Sequence, residues 1–158
     1  RYEDAKHATV AAIAEGILAG GGTALLRASA ALRKNTLKLS GGELTGLKVL
    51  AEALESPIKT ICENAGQHGA VVARNVLKEK SPTYGYNALT NEYGDMLKMG
   101  IVDPTKVTRY ALQNAASVTG LLLTTEAMVS EAPQDDAPVA PMPDMGGMGG
   151  MGGMGGMM

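Results

Sequence analysis

Leu44, Leu47, Ala51, Leu54, Ile58 and Ile61 follow one another at alternating steps of three and four. That spacing lays a single apolar stripe along one side of a helix, and it is the clearest periodicity in the chain. Ser56-Pro57 interrupts it. Proline is tolerated in a first helical turn, so the spacing predicts a break or kink there and a new helix through Ala65. What such helices can bury is restricted, because Phe and Trp are absent and Tyr occurs only five times. The core must come from Ala, Leu, Ile and Val, and small aliphatic side chains favour close helix packing.

The rest of the chain divides around this stripe. Residues 1–18 read as a helix, with Val10, Ile13, Ile17 and Leu18 at helical spacing and Gly20-Gly21-Gly22 as the stop. Thr23 is placed to cap a second helix with Leu25, Leu26 and Leu32 as its apolar face. Residues 34–42 are polar and end in Gly41-Gly42, which predicts a loop. Gly66 and Gly69 bracket a turn before a helix that turns Val72 and Val76 inward and runs to Lys78. Tyr84-Gly85-Tyr86-Asn87 and Tyr93-Gly94 predict a short β-hairpin. Asp103-Pro104 predicts a helix start, with Asp103 as the cap, Val107, Ala111, Asn114 and Val118 as a face, and Gly120 as the end. Leu121 to Val129 suits a strand whose partner lies elsewhere. Pro, Asp and Ala then dominate from Ala132 to Pro143, as in a linker. Met145 to Met158 reads Met-Gly-Gly four times and closes on Met-Met. Glycine is costly to order, so that tail is expected to be flexible, with adaptable thioethers along it.

Bulk properties remove several classes. A net charge of −2 gives no basic field for nucleic acid. No apolar run approaches the roughly 20 residues of a membrane span, and no signal peptide pattern is visible. The single cysteine, Cys62, excludes a disulfide framework and favours a reducing compartment. The start at Arg1, already inside a helical pattern, reads as a piece of a longer chain.

Few residues suggest chemistry. Ala19-Gly20-Gly21-Gly22-Thr23 between two helices leaves bare backbone that a phosphate can approach, but taken alone the signal is weak and a plain helix–helix turn is the preferred reading. Asp103 is accounted for as a cap. Asp4 and His7 share a helix face at a metal-ligand spacing, but no further ligand cluster follows and a solvated face suffices. Cys62 reads as a small buried hydrophobe, His68 as a loop residue and Asn87 as a turn residue. The regularly spaced Met thioethers are soft ligands of the kind that bind Cu(I), without the His or Cys that usually accompany them.

Taken in order, these segments resemble the C-terminal part of a group I, GroEL-type chaperonin. The likeness is carried by Arg1-Tyr2-Glu3-Asp4-Ala5, by the run Ala11 to Gly22, by Tyr84-Gly85-Tyr86-Asn87-Ala88, by Gly100 to Arg109, and by Thr124-Thr125-Glu126 with the Gly-Gly-Met tail. It implies a mainly α fold with a small β-hairpin and a C-terminal strand. Residues 1–14 would end an intermediate domain, 15–131 would form the C-terminal half of an equatorial ATPase domain, and 132–158 would be a disordered linker and tail.

The resemblance also implies function. Asp4 matches the family's catalytic aspartate, which orients and activates the attacking water. Gly21 matches a nucleotide-contacting glycine, Asn87, Ala88 and Leu89 the adenine and ribose segment, and Asp103 the acidic residue near the ribose. The cofactor would be ATP with Mg²⁺ and K⁺, most of whose ligands belong to an upstream Gly-Asp-Gly-Thr-Thr loop, so residues 1–158 alone are expected to be inactive. The partners would be further copies in seven-membered rings, two of them stacked, a GroES-type co-chaperonin and unfolded polypeptide clients, in the bacterial cytoplasm or alternatively an organelle matrix. Two departures stand out: Ala14 replaces an acidic residue, and Leu89 replaces an alanine. A non-enzymatic helical oligomerisation module and a Met-rich Cu(I) binder are the competing readings.

Overall fold

A computed structural model describes residues 1–131. The chain divides into two units, Arg1–Leu123 and Thr124–Met158. In the first, helix α1 (Tyr2–Glu15) leads through Gly16 into strand β1 (Ile17–Ala19), followed by helices α2 (Thr23–Leu32), α3 (Gly41–Ala53), α4 (Ser56–Asn64) and α5 (Gly69–Lys78). Strands β2 (Tyr84–Asn87) and β3 (Glu92–Asp95) come next, then β4 (Val102–Pro104) and the long helix α6 (Thr105–Thr124). The architecture is mainly helical with two small antiparallel sheets, β1–β4 and β2–β3.

The core follows from the stripe. Ala51, Leu54 and Ile58 are buried, while Leu44 and Leu47 are half-buried. The break falls where proline puts it: α3 ends at Ala53 and α4 opens with Pro57 in its first turn. Beyond it the inward side changes register, so that Cys62 is buried and Ile61 is exposed. Ile58 and Cys62 join Leu26 of α2, Val72, Ala73 and Val76 of α5 and Tyr86 of β2 in one cluster. Burial pushes the Cys62 thiol up, which keeps it a neutral, packed side chain. Helices α4 and α5 approach closely at Gly69, where a Cβ would stand 2.6 Å from the Lys59 Cα. The hairpin forms as expected, with Tyr84 opposite Asp95 and Asn87 opposite Glu92.

Several expected boundaries move. The first helix ends at Glu15 rather than running to residue 18, because Gly16 adopts φ 81°, ψ −171°, a backbone state essentially confined to glycine. Ile17 and Leu18 then face Pro104 and Asp103 across the β1–β4 pair instead of lying on a helix. Thr23 is the first helical residue of α2, not its cap; Gly22 holds the cap position in the left-handed region. Gly41-Gly42 opens α3 after Ser40 rather than closing the loop. Asp103 sits in β4, so α6 begins at Thr105 and the expected Asp103 cap is not formed.

The largest correction concerns α6. Gly120 does not end it, and the strand expected over Leu121 to Val129 is absent, since α6 reaches Thr124 and residues 125–131 are neither helix nor strand. A continuous apolar run is compatible with either state, and here the helix already under way from Thr105 extends through it. No residue of α6 is buried, and Val107 and Val118 stay exposed. Among the described residues, no helix is long and apolar enough to cross a membrane. The linker from Ala132 to Pro143 and the Gly-Gly-Met tail lie outside the described residues.

Candidate functional site

The β1–β4 pair builds the site. Leu18 lies opposite Asp103, the Gly20 N–H donates to the Ile101 carbonyl at 3.0 Å, and the Thr105 N–H donates to the Gly16 carbonyl at 3.0 Å. The chain then turns through Gly21 at φ 63° and Gly22 at φ 75° into α2. A Cβ at Gly22 would lie 2.7 Å from the Ile58 backbone nitrogen, so only glycine lets α2 start against α4. A Cβ at Gly21 would stand 3.1 Å from the Met96 methyl and 3.7 Å from the Tyr86 carbonyl oxygen. Gly21 is therefore a bare patch of backbone between the buried Met96 and strand β2.

Gly21, Gly22 and Asp103 open on one cavity of about 550 Å³ between α2, the α3–α4 corner and α6. Its walls are apolar, with Leu54, Ile61 and Val107 among them, and Asp103 is the one charged side chain in its lining. A carboxylate beside exposed glycine backbone fits sugar hydroxyls and a flat apolar group. The lining holds no lysine, arginine or histidine; beside the Asp103 carboxylate it offers the Thr108 hydroxyl and the glycine backbone.

The other expected residues are placed differently. Asn87 ends β2, next to Gly21 in space but outside that cavity. Its Oδ1 accepts from the Leu89 N–H at 3.0 Å and the Thr90 N–H at 3.4 Å, which is the turn role expected of it. Ala88 packs against the core cluster, whereas Leu89 is 91% exposed at the hairpin tip. Asp4 lies exposed in the first turn of α1, a helix with no buried residue. At about 1.5 Å per residue it stands roughly 16 Å along the helix from Glu15, and it is not among the residues that line the Gly21–Asp103 cavity. No group of three or more His, Cys, Asp or Glu side chains able to hold a metal forms among the described residues, at Asp4 and His7 or elsewhere.

Three features escaped the sequence. Glu15 and Arg109 form a two-pronged ion pair, at 2.5 and 3.1 Å, between the end of α1 and the start of α6. The hydrogen bond from Arg109 holds the Glu15 carboxyl below its usual range, and the Arg109 guanidinium is correspondingly raised. The guanidinium also stacks 4.5 Å above the Tyr110 ring. The partners are 94 residues apart, so no local spacing could announce them. Arg27, which donates to carbonyls of Val76, Glu79 and Tyr84, and the buried Met96, which lies against Gly21 and Gly85, belong to no recognisable motif.

The TCP-1/cpn60 chaperonin family matches residues 1–133. This chain belongs to that family. Two solved chaperonins are similar to it. One is the open-state monomer of a group II chaperonin from Methanococcoides burtonii, at 26% identity and a TM-score of 0.64, over 69% of this chain and 28% of that one. The other is a group III chaperonin in the open state, at 31% identity and a TM-score of 0.69, over 75% of this chain and 25% of that one. The chain thus spans about a quarter of the length of the chaperonins it matches. The mainly helical fold with small sheets is the fold of the matched part of those structures.

Proposed function

We propose that this chain is the C-terminal part of an ATP-dependent protein-folding chaperonin subunit, with α1 closing an intermediate domain and residues 15–131 forming half of an equatorial ATPase domain. The observation that carries this is the family match over 1–133 together with the β1–β4 pairing, which sets Gly21 and Asp103 on one cavity. In this reading Asp103 accepts hydrogen bonds from the ribose hydroxyls, and Gly21 lets the nucleotide approach the backbone. Asn87, Ala88 and Leu89 flank the base. Asp4 orients and activates the attacking water. ATP would supply the phosphoryl group, and Mg²⁺ and K⁺ would neutralise its charge through ligands that in this reading belong mostly to the rest of the protein.

The position of Asp4 supports a gated reaction. It is exposed on α1 and does not line the cavity, so in this reading a movement of α1 delivers it, and chemistry then waits on conformation. The group I assignment, with seven-membered stacked rings, a GroES-type co-chaperonin, unfolded clients and a bacterial cytoplasmic setting (or an organelle matrix), rests on the sequence motifs and the Gly-Gly-Met tail. The test is ATP turnover by the full-length protein. Asp4→Ala is expected to abolish turnover while preserving nucleotide binding, and residues 1–158 alone to show none. Wild-type turnover by the variant, or turnover by the isolated chain, would overturn the proposal.

A further inference from the structure

Arg27, in the second turn of α2, makes an unusual set of bonds. Its Nη1 donates to the Glu79 carbonyl at 2.7 Å, and its Nη2 donates to the Val76 carbonyl at 2.9 Å and to the Tyr84 carbonyl at 3.1 Å. No carboxylate forms an ion pair with it among the described residues. Its hydrogen bonds go to main-chain oxygens, two of them at the C-terminal end of α5, where the helix dipole is negative; the Glu79 carboxylate adds attraction at longer range, and Nε is buried without a partner. Arg27 thereby ties three pieces together: α2, the end of α5, and the first residue of β2.

These pieces carry the candidate site. Helix α2 starts at the Gly21–Gly22 turn, and β2 runs from Tyr84 to Asn87. The strand passes close under Gly21, whose Cβ would stand 3.7 Å from the Tyr86 oxygen. Gly85 is equally restricted, since a Cβ there would lie 2.6 Å from the Met96 Cγ. The separation of the Gly21 backbone from Asn87 depends on where β2 begins; the Tyr84–Asp95 pairing and the Met96 N–H to Thr83 carbonyl bond hold that point from β3, and Arg27 holds it from α2 and the end of α5.

We propose that Arg27 is a positioning residue for nucleotide binding, holding the Asn87 segment against the Gly21 turn through the carbonyls of Val76, Glu79 and Tyr84. This rests on the nucleotide-binding reading above. Arg27 touches no ligand itself. A planar fork reaching carbonyls on two elements is what lysine cannot reproduce, because its single ammonium is a point charge.

The experiment compares Arg27→Lys, Arg27→Gln and Val72→Ala in the full-length protein. Val72→Ala perturbs the same core without touching the fork. Arg27→Lys is expected to raise the KM for ATP about fivefold, the effect of one weakened charge-assisted hydrogen bond, with kcat at saturation kept within about twofold. Without nucleotide, amide exchange over residues 84–89 should quicken in Arg27→Lys while that of Val72 to Val76 does not. Val72→Ala should lower Tm and leave the KM unchanged. An Arg27→Lys protein with wild-type KM and exchange overturns the proposal and leaves the nucleotide reading intact. An equal rise in KM for Val72→Ala also overturns it, as does failure of both Arg27 variants to fold, since either assigns Arg27 to general stability. A wild-type protein that binds no ATP overturns both readings together.

Discussion

Replacing Gly22 by alanine tests how tightly the entry to α2 is built. Gly22 has φ 75°, and a Cβ there meets the Ile58 nitrogen at 2.7 Å and the Ile58 Cα at 3.0 Å. Both are backbone atoms of α4, so no side-chain rotation relieves the clash. The left-handed conformation costs alanine about 1–2 kcal/mol. Pushing a methyl into packed backbone adds about 1–3 kcal/mol, for a total of roughly 2–5 kcal/mol. Gly66 supplies the control, because it has nearly the same φ, 74°, with nothing within 4 Å of a Cβ. Gly66→Ala should therefore show only the conformational cost of about 1–2 kcal/mol. Urea denaturation of the purified chain, followed by tyrosine fluorescence and circular dichroism, reads both as shifts in midpoint. Equal losses at the two positions would refute the packing argument. A Gly22→Ala protein as stable as the wild type would refute the conformational argument as well.

Three further outcomes are expected. The ion pair of Glu15 with Arg109 lowers the Glu15 carboxyl, so its contribution is complete above the usual carboxylate range and is lost as pH falls through the lowered value; Glu15→Gln should remove that part of the acid sensitivity in a pH series of unfolding curves. Leu26 is fully buried, and Leu26→Ala should cost about 2–5 kcal/mol in denaturant titration, whereas Leu89→Ala, at an exposed tip, should stay within about 0.5 kcal/mol. On the proposed chaperonin function, deleting Met145 to Met158 in the full-length protein should change client refolding rates, measured by recovery of client activity, while leaving its assembly state by gel filtration unchanged.

What could be read beforehand follows from the range of each signal. Spacing over many residues survived: the stripe from Leu44 to Ile58, the break at Pro57, and the inward Val72 and Val76 all lie where periodicity put them. The hairpin survived because its turn chemistry is local, with Asn91 at φ 60° accepting from the Tyr86 hydroxyl at 2.8 Å. The short strands β1 and β4 were not readable, since three residues are too few to show a period and their pairing joins distant parts of the chain. That pairing is also why Ile17 and Leu18 left the first helix and why Asp103 does not cap α6. Leu121 to Leu123 misled because an apolar run fits a strand or a helix equally well. At the site, Gly21 and Asp103 were named from a resemblance, and the pairing of their flanks puts them on one cavity. Arg27, Met96 and the Glu15–Arg109 pair stayed hidden because their partners are set by tertiary structure alone.

The glycine at position 16 gives α1 the mechanics of a pointer on a pivot. The helix beyond it buries none of its side chains, and Asp4 lies roughly 16 Å along it from Glu15. A rotation of about 10° at the pivot sweeps that carboxylate through about 3 Å, the length of one hydrogen bond. On the proposed role of Asp4, a turn of α1 about Gly16 becomes a displacement of the scale that separates an engaged carboxylate from an idle one, resisted by the Glu15–Arg109 pair and the Thr105 N–H to Gly16 carbonyl bond.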